Sequence, residues 1–142
     1  MGSCYNSVVI NAPCDKVWES IRNFHDMSWA FGVITKTDAV GDTPGDRVGA
    51  KRVLNDLFHE TLLSVDAQQK TFSYQIDDGP GPVASDAVQN YIGTVRLLPV
   101  TADDTTFVEW TSSYESPDNA AVGELCNPIY QALLQALHKH FS

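Results

Sequence analysis

No apolar run in this sequence approaches the roughly 20 residues that cross a bilayer. The opening Met1-Gly2-Ser3 shows no basic segment followed by an apolar one, so no secretory leader is expected. Cysteine is sparse, with only Cys4, Cys14 and Cys126. An odd count without a C-x-x-C pair supplies neither a disulfide framework nor a zinc ribbon. The thiols are read as buried or half-buried side chains in a reducing cytoplasm. Basic residues are few: 9 Lys and Arg stand against 18 Asp and Glu, for a formal net charge of −9. That sign is wrong for a phosphate backbone and for an anionic membrane surface. Nucleic-acid partners and stable membrane anchoring are therefore not expected. Also missing are G-x-S-x-G, H-E-x-x-H, the P-loop and the dinucleotide fingerprint. His138 and His140 lie two apart on a helical pattern and diverge. No metal and no cofactor is expected.

What remains is a globular composition. Hydrophobic residues make up 43% and charged ones 19%, enough apolar content to build a core. One domain over residues 1–142 is expected. A first strand is read over Cys4–Ile10, followed by a helix that Pro13 starts and Val17, Trp18, Ile21 and Phe24 continue at helical spacing. A second short helix is read over His25–Phe31, and strands over Val33–Val40, 48–54 and 58–62. Lys70–Ile76, Ala87–Leu98 and Thr105–Glu115 complete the set. One long amphipathic helix, about Asn119–His140, ends the chain, its apolar stripe including Cys126, Ile129, Leu133 and Leu137. Strands joined by short turns make an antiparallel sheet, and one helix must cover its apolar face. The expected class is α+β, a curved seven-stranded antiparallel sheet around a long C-terminal helix, with two short helices after the first strand.

The stretch VGAKRVLNDLFHETL (residues 48–62) puts a charge on each of two otherwise apolar faces. Val48, Ala50, Arg52 and Leu54 alternate on one strand, and Phe58, Glu60 and Leu62 on the next. With Asn55-Asp56-Leu57 as the loop, Leu54 lies opposite Phe58, Arg52 opposite Glu60, Ala50 opposite Leu62 and Val48 opposite Ser64. A two-residue loop would put the charges out of step. The pair is then either a structural ion pair or one that also orients a ligand. Further along, Phe72, Tyr74, Tyr91, Trp110 and Tyr114 project to one side if neighbouring strands pair. Such rings either fill a core or line a pocket.

The order of elements resembles the START/Bet v 1-like (SRPBCC) superfamily and its helix-grip fold, within it the polyketide cyclase/dehydrase and lipid-transport branch. The resemblance rests on INAPCDKVWESIRNF, GDRVGAKRV, HETLLSVDAQQKTFSYQI, NYIGTVRLLP and VEWTSSYE, in that order along nearly the whole chain. It is also similar, more distantly, to the plant abscisic-acid receptors, which would make 55–58 a gate and 79–84 a latch. The Ser-Gly-Leu-Pro-Ala type gate and the His-Arg-Leu latch pattern are both absent, so abscisic-acid sensing is not carried over. The resemblance implies a cavity for a hydrophobic small molecule or lipid. The missing leader and the free thiols make a cytoplasmic location the expectation, and a monomer or homodimer is expected. In that cavity Arg52 and Glu60 would be the polar anchor. Trp29 and Phe31 would pack at the entrance, and the sheet aromatics with Ile129 and Leu133 would form the walls. Two other readings stay open: a cyclase or dehydratase acting on a carbonyl compound, and a protein-interaction module whose cavity is filled.

Overall fold

The computed structural model describes all 142 residues. Seven strands form one antiparallel sheet: β1 (Gly2–Ile10), β2 (Thr37–Val40), β3 (Lys51–Leu54), β4 (Phe58–Asp66), β5 (Thr71–Asp78), β6 (Gln89–Val100) and β7 (Thr105–Glu115). Their spatial order is β1-β7-β6-β5-β4-β3-β2, so all neighbours except β1 and β7 are consecutive in the chain. Helix α1 spans Cys14–Ile21 and α2 spans Asn119–His140. The helix-grip expectation holds in this architecture. Asp118 caps α2 by accepting the Ala121 N–H, and His138, Lys139 and His140 in its last turn complement the helix dipole. The helix lies along β1, where Asn6 Nδ2 donates to Asn127 Oδ1 at 2.9 Å and His138 Nδ1 meets the Val9 carbonyl at 3.1 Å.

Three local expectations are corrected. The second helix, His25–Phe31, is a series of turns. Asn23 Oδ1 takes the His25 N–H and Asp26 Oδ1 takes the Ser28 N–H, so side chains replace the helical partners there. Gly32, at φ +83°, then turns the chain in a direction no helix continues. The strand expected over Val33–Val40 is reduced to Thr37–Val40. Ahead of it, Asn55 Oδ1 accepts from the Thr35 and Lys36 N–H groups while its Nδ2 donates to the Val33 carbonyl. One side chain thus stands in for a strand partner. Finally, Val48 does not oppose Ser64. The ladder closes where the Gly49 N–H meets the Leu62 carbonyl, Gly49 turns away at φ +94°, and Val48 is left exposed.

The charged hairpin keeps the expected register, with Leu54 opposite Phe58 and Arg52 opposite Glu60. Its loop works because Asn55 and Asp56 adopt φ +55° and +59°, a left-handed conformation these residues tolerate best after glycine. A core of 29 residues fills the space between sheet and helix. Within it Gly93 on β6 lies directly opposite Tyr74 on β5, and a Cβ at Gly93 would collide with the Tyr74 ring. The missing side chain is what lets that ring lie across the sheet toward α2. Gly93→Ala is therefore expected to destabilise the fold by about 1–3 kcal/mol through overpacking. Urea denaturation checks this, and an unchanged midpoint would show that the ring is free to move.

Candidate functional site

Between the concave sheet, α2 and the turns after α1 lies a cavity of about 250 Å³. Thirteen of its sixteen lining residues are hydrophobic; the others are Arg52, Asn55 and Glu60. Each wall follows from the fold. Tyr74, Ile76 and Trp110 alternate inward from β5 and β7; Cys126, Ile129, Tyr130 and Leu133 recur at helical spacing on α2. Met27, Val33 and Ile34 come from the segment between α1 and β2. The mouth is marked by Leu57, which lines the cavity and is 50% exposed.

Arg52 and Glu60 are 3% and 6% exposed, so this is an interior ion pair. Glu60 Oε1 accepts from Arg52 Nε at 2.8 Å and lies 2.7 Å from Nη2. Arg52 Nη1 donates to the Phe24 carbonyl at 3.0 Å and meets Met27 Sδ at 3.3 Å. Its guanidinium carbon sits 3.7 Å from the Phe24 ring centroid, a cation–π stack. Glu60 Oε2, by contrast, accepts no hydrogen bond from the protein. Nor is it among the sealed polar atoms without a partner, which are Trp29 Nε1, Ser112 Oγ and Asn119 Oδ1. Burial pushes the Glu60 carboxyl above its ordinary range, and the Arg52 charge only partly opposes that.

A second polar feature crosses the cavity wall. Trp110 Nε1 donates to the Tyr74 hydroxyl at 2.9 Å, Tyr74 bonds Tyr130 at 3.2 Å, and Tyr130 bonds Tyr91. Two bonds join three hydroxyls, so one hydroxyl proton is left over. Burial raises all three phenols well above their usual range, which keeps them protonated hydrogen-bonding groups. The Cys126 thiol is pushed up to about 11 by the same burial, so it lines the wall as a neutral group, not as a thiolate.

Of the residues expected at a site, Arg52, Glu60, Tyr74, Trp110, Ile129 and Leu133 line this cavity. The other sheet aromatics do not. Phe72 packs between Trp18 and Phe24 with centroids at 6.4 and 6.5 Å, and Tyr91 stacks on Tyr114 at 5.3 Å. Trp29 is buried behind Trp110 instead of standing at the entrance. Phe31 is 90% exposed, because the turns that replace the second helix rotate it outward. It borders a separate shallow groove near the end of α2. The gate segment does supply Asn55, Leu57 and Phe58 to the cavity, whereas no residue of the latch segment 79–84 lines it. Instead Val83 is fully buried and Gly79 lies against Phe58. Beyond the expected residues and the gate segment, the wall takes in Met27, Val33, Ile34, Leu54, Ile76, Cys126 and Tyr130, none of them singled out from the sequence as site residues. Leu54, Ile76, Cys126 and Tyr130 were legible as members of an inward strand face or of the helical stripe, while Met27, Val33 and Ile34 lie in the segment whose conformation the pattern does not reveal.

Removing one member of the ion pair strands the other. Arg52→Leu is expected to destabilise the protein by about 3–5 kcal/mol at neutral pH. Glu60 already has a raised pKa in the folded protein, and loss of Arg52 raises it further. Stability contributed by such a group is full below the unfolded carboxylate value and is lost as pH rises through the folded one. The Arg52→Leu deficit should therefore shrink on acidification, and Arg52→Leu/Glu60→Leu should recover most of it. Denaturation of the single and double variants across pH checks both; a pH-independent deficit would exclude a stranded carboxylate as its cause.

Comparison with known proteins agrees with this architecture. No protein of curated function matches the chain by sequence. A solved structure of a Nitrosospira multiformis protein is 46% identical, with a TM-score of 0.95 and coverage of 99% of this chain and 96% of that one. Norcoclaurine synthase from Thalictrum flavum shares the fold at 18% identity and a TM-score of 0.73, over 96% of this chain and 84% of that one. The major latex-like protein 151 of Panax ginseng does so at 15% identity and a TM-score of 0.76, over 99% and 97%. These two share the fold of the chain, the helix-grip arrangement described above. The family model for polyketide cyclases/dehydrases and lipid-transport proteins matches residues 1–142, and the chain belongs to that family.

Proposed function

We propose that the protein binds a hydrophobic small molecule inside the cavity, for carriage or sensing. The observation that carries this reading is an unfilled, largely apolar space of about 250 Å³ with a buried ion pair in its wall. Pockets of this character, apolar with a few placed polar groups, are the usual form of small-molecule sites. An apolar cavity of about 150 Å³ accommodates benzene, so this one suits a molecule of about ten non-hydrogen atoms. A protein-interaction module with a filled core fits less well, since Phe72, Tyr91 and Tyr114 pack elsewhere and leave the space open.

A cyclase or dehydratase reading has one specific observation in its favour. Glu60 lines the cavity with its carboxyl raised above the ordinary range by burial, the direction in which a carboxylate becomes a stronger general base. Turnover of small carbonyl substrates that is lost in Glu60→Gln would favour it over simple binding.

Native mass spectrometry on gently purified protein is expected to show a co-purified molecule. Leu133→Trp, which directs an indole into the cavity from α2, should abolish that adduct and lower the affinity for small apolar probes at least about tenfold. An equally strong adduct in Leu133→Trp would place binding elsewhere and overturn the reading.

A further inference from the structure

We propose that the cavity selects small, neutral hydrogen-bond donors carried on a ring, and rejects anions, amines and long chains. The inference rests on the reading of the cavity as a small-molecule site and adds the chemical class of its ligand. An arginine in an apolar pocket ordinarily suggests an anchor for a carboxylate. Here the guanidinium is already engaged. Glu60 Oε1 takes Nε and lies against Nη2, the Phe24 carbonyl and Met27 Sδ occupy Nη1, and the Phe24 ring covers one face. An entering carboxylate would have to displace Glu60, leaving one of two carboxylates buried without a counterion.

The group left open is Glu60 Oε2, an acceptor with no protein donor. A hydroxyl or ring N–H supplies the hydrogen it lacks. A protonated amine does too, but the Arg52–Glu60 pair is already neutral, so the amine would bring an uncompensated charge into the interior. Charge balance therefore favours a neutral donor over either ionic class. Aromatic walls from Tyr74, Trp110 and Tyr130 favour a planar ring beside that donor. The volume, about 250 Å³, holds one or two rings but not a long acyl chain.

The test is a calorimetric series near neutral pH on the full chain with 2-naphthol, naphthalene, 2-naphthoate, 2-naphthylmethylamine and palmitate. A hydrogen bond to a charged acceptor corresponds to about a tenfold gain or more. The expected result is 2-naphthol binding at least about tenfold tighter than each of the others. Glu60→Gln leaves the Arg52 charge unpaired, and there the order should invert in favour of 2-naphthoate. Should that variant not fold, the wild-type series alone decides. Equal affinity for 2-naphthol and naphthalene would overturn the proposal while leaving a hydrophobic site intact. Tightest binding of 2-naphthoate or of the amine would overturn it by showing that charge governs selection, and tightest binding of palmitate would overturn the size limit. Binding of none of the series would overturn both this proposal and the small-molecule reading beneath it.

Discussion

Arg52 ties the β3–β4 hairpin to the segment beyond α1, which has no regular structure of its own. It projects from β3, pairs with Glu60 on β4, and reaches the Phe24 carbonyl and Met27 sulfur beyond the end of α1. The segment between α1 and β2 has no helix or ladder of its own to fix it, yet Met27, Val33 and Ile34 form one cavity wall. Its placement depends on groups it meets across space. In energy alone, a buried ion pair is no better than well-packed apolar residues. What this pair provides is direction: the guanidinium geometry fixes where the loop carbonyl, the Phe24 ring and the carboxylate must lie relative to one another.

Asn55 performs the corresponding task at the other end of the same hairpin. Its side chain holds the backbone of Val33, Thr35 and Lys36, and its own left-handed backbone turns β3 into β4. Lys36 adds an exposed ion pair to Asp56 at 2.8 Å, which contributes little by itself. The hairpin is thus the frame on which the cavity is assembled. One of its faces supplies Arg52, Leu54 and Glu60 to the wall, and its loop supplies Leu57 at the mouth.

This explains what was legible in the sequence. The hairpin register followed from period-two alternation and a three-residue loop, both local properties, so Arg52 opposite Glu60 could be read directly. The long strands and α2 were legible for the same reason. The segment 23–36 was not, because its conformation is decided by hydrogen bonds from Asn23, Asp26 and the distant Asn55, and apolar periodicity says nothing of these. The helix read over His25–Phe31 gave way to those side-chain bonds, which is why one ring ended buried in the core and the other in solvent. Alternation likewise gave the face on which Phe72, Tyr74, Tyr91, Trp110 and Tyr114 lie, but not which of them border a void. That depends on how far along the strand each sits from α1 and α2, and on Gly93 making room for Tyr74.

The two polar features of the cavity differ in a way that sets its chemistry. The tyrosine hydroxyls satisfy one another through Tyr130, with Trp110 donating into the chain, so most of their hydrogen-bonding capacity is spent within the protein. The ion pair cancels its own charge and leaves a single acceptor atom without a donor. In a chain of formal net charge −9, the cavity's only charged side chains therefore sum to zero. On the proposed reading, a molecule inside the cavity meets walls whose own charges cancel, and discrimination there falls to shape and to one short-range hydrogen bond.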